Sequence, residues 1–100
     1  MTEKIRVEIS KDLEVLIPRY LERRHKEVEA FRTQLGAGDF EALRLGGHSL
    51  KGSGGGYGFP LLTTLGGRIE TAAKAKDSAT IEAALVEYAD YIGRVEVVYV

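Results

Sequence analysis

The chain has two histidines, His25 and His48, and no cysteine. Without thiols it has no Cys nucleophile, no thiolate zinc site and no disulfide. Imidazole is then the side chain best suited to chemistry near neutral pH, where an uncharged ring keeps one free lone pair. His25 sits among Arg23, Arg24 and Lys26 and reads as plain charged surface. His48 lies in the run GGHSLKGSGGGYG, with Arg44 four residues before it, Lys51 three after and Gly52 four after. On a helix, residues three and four apart are neighbours. That spacing predicts an imidazole with an ammonium close by and a stretch of bare backbone beside it. Such a ring is a nucleophile that another protein could approach closely.

The same run admits other readings. Six glycines inside a helix would cost about 1 kcal/mol each relative to alanine, so composition alone favours a flexible loop. A phosphate-cradling loop needs G-x-x-x-x-G-K-[ST]. Here Ser53 follows Gly52 directly, without the lysine. The dinucleotide pattern G-x-G-x-x-G is also missing, and no strand precedes the run. The helical reading survives because Phe40, Leu43, Gly47, Leu50, Gly54 and Tyr57 fall at alternating intervals of three and four. These residues form a bundle seam that holds register through the glycines. His48 lies roughly 130° from the centre of that seam, facing solvent.

Further helices must position this one. Ile5, Val7 and Ile9 alternate with Arg6 and Glu8, a period of two that suggests a strand or an extended arm. A lone short strand has no evident partner, so an arm lying on the domain is expected. Ser10 can cap a short helix over 11–17, with Asp12 in its first turn. Pro18 suits the start of the next, over 19–35, whose apolar positions are Leu21, Val28, Phe31 and Leu35 with Arg24 at the gap. Gly36 and Gly38 end it, and Asp39 caps the helix of the glycine run, over 39–57. Pro60 opens a helix over 60–76 with seam Leu62, Leu65, Ile69 and Ala72. Asp77 or Ser78 caps a last helix over 78–98, with seam Ile81, Leu85, Tyr88, Ile92, Val95 and Tyr99. Its β-branched tail could be a strand, but the unbroken seam favours helix. The expected fold is all-α: an antiparallel four-helix bundle with a short N-terminal helix or arm.

One domain over 1–100 fits the length, and a chain of this size buries roughly two-thirds of its unfolded surface. A hydrophobic content of 44% can fill one core and 29% charged residues can cover it, unlike a disordered chain. The net charge of −1 offers no large positive field, which argues against nucleic acid as a partner. No stretch approaches the ~20 apolar residues of a membrane span, and MTEKIRVEISKDLE does not read as a secretory signal. A soluble, cytoplasmic protein is expected. Two histidines far apart in sequence also argue against a metal hydrolase.

His48-Ser49-Leu50-Lys51-Gly52-Ser53, with Gly58 ten residues after the histidine, resembles the H-x-L-K-G-x(5)-G signature of histidine phosphotransfer (HPt) domains. The likeness extends to LIPRYLERR at Leu16 to Arg24, to Tyr57-Gly58-Phe59 and to Arg68-Ile69-Glu70, and so covers nearly the whole chain. The chain departs from the pattern in carrying Gly54, Gly55 and Gly56 where members often carry alanine or larger residues.

The resemblance implies a phosphorelay intermediate of two-component signalling. His48 would take a phosphoryl group from the phosphoaspartate of a receiver domain and pass it to another. Lys51 would stabilise the phosphoryl charge. Glu70 would accept a hydrogen bond from the imidazole and fix its tautomer. Arg44, Gly52 and Gly55 would form the docking face, and Ser53 is read as structural. Implied partners are response-regulator receiver domains and hybrid histidine kinases, met by a monomer. The resemblance implies no cofactor of the chain's own, Mg²⁺ being supplied by the receiver, and no ATP-dependent kinase site. The other reading is a helical adaptor that binds a signalling partner without phosphotransfer. The intact His48 favours the carrier.

Overall fold

The computed structural model describes residues 3–100, so the first two residues of the domain expected over 1–100 lie outside the described residues. The described elements are β1 (Ile5–Ile9), α1 (Ile17–Gly36), α2 (Phe40–Gly54), α3 (Pro60–Lys74), α4 (Ser78–Arg94) and β2 (Val95–Tyr99). Single 3-10 turns cover Lys11–Leu13 and Gly55–Tyr57.

Local chemistry explains most helix ends. Asp39 accepts a hydrogen bond from the Ala42 amide and Asp77 one from the Thr80 amide, each filling an otherwise unpaired first-turn donor. Pro18 and Pro60 lie in the first turns of α1 and α3, where a missing N–H costs nothing. Gly38 takes a left-handed φ of 70° just beyond α1, a conformation that L side chains resist. Gly58, with φ 95°, does the same after the 3-10 turn that ends the glycine run.

The four helices form a bundle. Contacts pair rising numbers on one helix with falling numbers on its neighbour. Gly47 faces Gly66 and Ile69 across α2 and α3, whereas Gly54 faces Leu62 and Thr63. Across α1 and α4, Glu27 meets Tyr88 while Leu35 flanks Glu82. The core is filled by Phe31, Leu43, Leu50, Leu62, Leu65, Ile69, Ile81, Leu85 and Tyr88, all essentially inaccessible. Full burial of one such side chain contributes about 1.5–3 kcal/mol.

Both ends of the chain depart from the sequence expectation. The N-terminal arm is a paired strand: β1 and β2 run parallel, with Ile5 opposite Val95 and Ile9 opposite Tyr99. The helix expected over 78–98 stops at Arg94, and Val95–Tyr99 is strand. Residues four apart share a face in a strand as well as in a helix, so Val95 and Tyr99 fit either seam. Val97 lies between them and packs inward with them, as a period of two requires. The short helix expected over 11–17 is a 3-10 turn over Lys11–Leu13, capped by Ser10, and Ile17 begins α1. Ile17 and Tyr20 are buried and supply the inward face of the first turn of α1, while Leu21 is only half-buried. The helix expected over 39–57 is α-helical to Gly54 and 3-10 beyond it.

Candidate functional site

The register of α2 sets the site. Leu43, Gly47, Leu50 and Gly54 point into the bundle. His48 and Lys51 each follow an inward residue and emerge on the side of α3, with side chains 66% and 49% exposed.

Glycine lets the two helices meet backbone to backbone. A Cβ on Gly47 would lie 2.7 Å from the Glu70 amide nitrogen, and one on Gly54 would lie 2.7 Å from the Thr63 amide nitrogen. A Cβ on Gly66 would collide with the Lys51 amide nitrogen and come within 2.7 Å of the Gly47 carbonyl oxygen. Real Cβ atoms do not approach backbone that closely, so side chains here would force the helices apart. Thr63 ties the C-terminal end of α2 to α3. Its Oγ1 donates to the Lys51 carbonyl at 3.0 Å and accepts from the Gly55 amide at 2.8 Å. Tyr20 and Ser53 join α1 to α2 through their hydroxyls, 3.0 Å apart.

This close approach brings Glu70 to α2. Its side chain is only 9% exposed, and both carboxylate oxygens are engaged. His48 Nδ1 lies 2.9 Å from Oε2, and Lys51 Nζ donates to Oε1 at 3.2 Å. The Lys51 hydrogen bond, then that of His48, holds the Glu70 carboxyl below the usual range and outweighs the opposing effect of burial. An ionised carboxylate only accepts, so Nδ1 carries the proton of the His48–Glu70 bond. In the neutral ring the lone pair is then on Nε2. The arrangement is an exposed imidazole with its tautomer fixed from below and an ammonium beside it.

Of the other residues expected at the site, Arg44 lies one turn before His48, with its guanidinium held by Glu41. Gly52 is exposed, and a Cβ there would meet nothing within 4 Å. Gly55 falls outside α2, in the 3-10 turn, where its amide is bound to Thr63. His25 is exposed on α1. Two neighbours escaped the sequence reading. Lys74 Nζ lies 3.9 Å from Glu70 Oε2, and the spacing of four between them was the available signal. Thr63 left no signal, because its bonds cross between helices. Among the described residues, no group of three or more His, Asp or Glu gathers to hold a metal ion. No helix among them is long and apolar enough to cross a membrane.

Comparison with protein families matches residues 15–96 to the Hpt domain. The match spans most of the chain, and the protein belongs to this family, whose activity is histidine phosphotransfer in phosphorelay signalling. No curated protein and no solved structure matches the chain.

Proposed function

We propose that His48 is the phosphoacceptor and that the protein relays phosphoryl groups between receiver domains in two-component signalling. The observation that carries this reading is the 2.9 Å contact between Nδ1 of an exposed imidazole and a nearly buried, ionised Glu70. It leaves Nε2 free to attack. A phosphorus–nitrogen bond forms at Nε2 as the bond from phosphorus to the donor's aspartyl oxygen breaks, and the aspartate leaves as a carboxylate. The Nδ1 proton stays on the ring, which becomes a cation facing Glu70. Onward transfer reverses these steps at another receiver. Positioning and charge neutralisation supply most of the catalysis in such in-line transfers.

Lys51 stands three residues from His48 and half-exposed, suited to meet the phosphoryl oxygens. Gly52 and Arg44 lie one turn to either side, and the open backbone at Gly52 leaves room for a receiver to bring its aspartate into line. The acidic pocket and its Mg²⁺ belong to the receiver. The partners proposed are response-regulator receivers and hybrid histidine kinases, in the cytoplasm, with the carrier as a monomer.

The test is incubation of the chain with a panel of phosphorylated receivers from its own source. An acid-labile, base-stable label is expected on His48 alone. His48→Gln should abolish it with the fold intact, and His25→Gln should change neither. Label retained in His48→Gln would overturn the assignment. Receivers that bind without transferring label would make the chain an adaptor.

A further inference from the structure

We propose that Lys74 supplies the surplus positive charge that balances a phosphoryl group on His48; this deepens the reading of His48 as phosphoacceptor and rests on it. Two ammonium groups, Lys51 and Lys74, surround the single carboxylate of Glu70. With a neutral imidazole, the cluster carries one net positive charge. Without Lys74 it would be neutral, and a phosphoryl group with a charge of roughly −1.5 to −2 would arrive beside a balanced ion pair.

The geometry separates the two lysines. The Glu70 oxygens are already hydrogen-bonded, Oε1 to Lys51 and Oε2 to His48. Lys74 stands at 3.9 Å, beyond hydrogen-bond range, attracted by charge alone. Its side chain is 60% exposed, and among the described residues its only ion-pair partner is Glu70. It shares a groove of about 310 Å³ with Arg44 and Lys76. Arg44 is held by Glu41 at 2.5 Å, although it also feels the Glu70 charge. Of the lysines in this groove, Lys74 is the one within 4 Å of Glu70, which places it to respond to new negative charge at His48. It acts through the field around Glu70 rather than by contact with phosphorus, so it is a positioning residue.

The experiment phosphorylates the full chain with phosphoramidate, a small anionic donor that needs no partner protein. The bond from Nε2 to phosphorus forms as the donor's phosphorus–nitrogen bond breaks and ammonia leaves. Lys74→Gln should lower the second-order rate of His48 labelling about threefold at low salt, the scale of one exposed charge pair. The deficit should shrink as salt rises to about 0.5 M, where the screening length falls to a few ångström. Lys74→Arg should restore the rate, Lys76→Gln should leave it near normal, and melting temperatures should not move. An unchanged rate in Lys74→Gln, a deficit insensitive to salt, failure of the arginine rescue, or an equal deficit in Lys76→Gln would each overturn the proposal. If phosphoramidate labels His48 but no receiver does, the relay reading fails while the role of Lys74 is still measured. If His48 takes no label from either source, both fall.

Discussion

Two pairs of helices build this bundle by different means, and each turns a glutamate toward its partner. α2 and α3 meet through Gly47, Gly54 and Gly66, with backbone against backbone. α1 and α4 are held apart by rings, Phe31 against Tyr88 with centroids 6.3 Å apart. In the glycine pair, Lys51 and His48 hold Glu70 below the ordinary carboxylate range. In the ring pair, burial pushes Glu27 above that range, although Tyr88 donates to it at 2.6 Å and Arg24 lies 3.5 Å away. Glu70 is thus kept as an anion that can face an imidazolium, whereas burial works against the Glu27 anion, which links the helices through Tyr88 and Arg24. The difference teaches what the glycines do. They give up helix propensity so that a side chain on α3 can reach a ring on α2.

The strongest way to break this comparison is to put a methyl group where α2 and α3 touch. Gly66→Ala gains about 1 kcal/mol of helix propensity. It also places a Cβ against the Lys51 amide and the Gly47 carbonyl, neither of which can rotate away. Overpacking typically costs about 1–3 kcal/mol, and an immovable backbone contact belongs at or above the upper end. A net fall in melting temperature of about 10 °C is expected for a domain of this size, with loss of the His48–Glu70 bond. Thermal denaturation and the imidazole NMR signals check both. An unchanged melting temperature would mean that the glycines are not what brings the helices together.

How much of this was legible beforehand follows the range of the interactions involved. The caps at Asp39 and Asp77 and the prolines opening α1 and α3 act within one turn, so a short window reveals them. The seams of α3 and α4 are repetitive enough to read, and their helical members are buried. The sheet was not legible, because β1 and β2 lie 90 positions apart and neither strand signals its partner. Tyr20 was hidden by its neighbour Leu21, an equally plausible inward residue, until the packing chose between them. At the site, the spacing of His48, Lys51 and Gly52 carried the imidazole and its cation. Glu70 came from family resemblance, since nothing local distinguishes it from a surface carboxylate. The Glu27–Tyr88 pair joins residues 61 apart and had no signal at all.

The two glutamates sharpen the comparison through pH. The Glu27 carboxyl is raised from its ordinary 4.5, so the folded protein holds that proton more tightly than the unfolded chain. Its favourable contribution is complete below pH 4.5 and is lost as pH rises through the folded value. Glu27→Gln mimics the protonated form. The difference in melting temperature from the native chain should move in the variant's favour as pH rises from 4.5 to 7. Glu70 is lowered from the same 4.5, so its contribution has the opposite sign. It is present above pH 4.5 and is lost as pH falls through the folded value. Glu70→Gln should therefore show its stability deficit at neutral pH and none in strong acid, and it should slow transfer where Glu27→Gln does not. Melting curves across pH 3 to 7 distinguish the two, and parallel profiles would erase the contrast between the helix pairs.

The smallest change in stability is expected at Gly52, the one glycine of the HSLKG run, and it has the opposite sign from Gly66. A Cβ at Gly52 meets nothing within 4 Å, and the residue lies in the last turn of α2. Gly52→Ala should therefore stabilise the domain by about 0.5 kcal/mol, toward the low end because helix termini fray. The added methyl would stand one turn from His48, on the open side where, in the relay proposed, a receiver would bring its aspartate into line with Nε2. Displacing that alignment by about 1 Å can cost on the order of a hundredfold in rate. Transfer should fall from Gly52→Ala to the bulkier Gly52→Gln, while the melting temperature holds or rises. Labelling by phosphoramidate should fall much less, because a small donor needs no docking surface. The decisive measurement is the ratio of receiver-driven to phosphoramidate-driven labelling across the series. A ratio that stays constant would mean that Gly52 does not serve docking. If stability fell while transfer stayed normal, the glycine would be meeting a backbone requirement of α2, and the contrast with Gly66 would disappear.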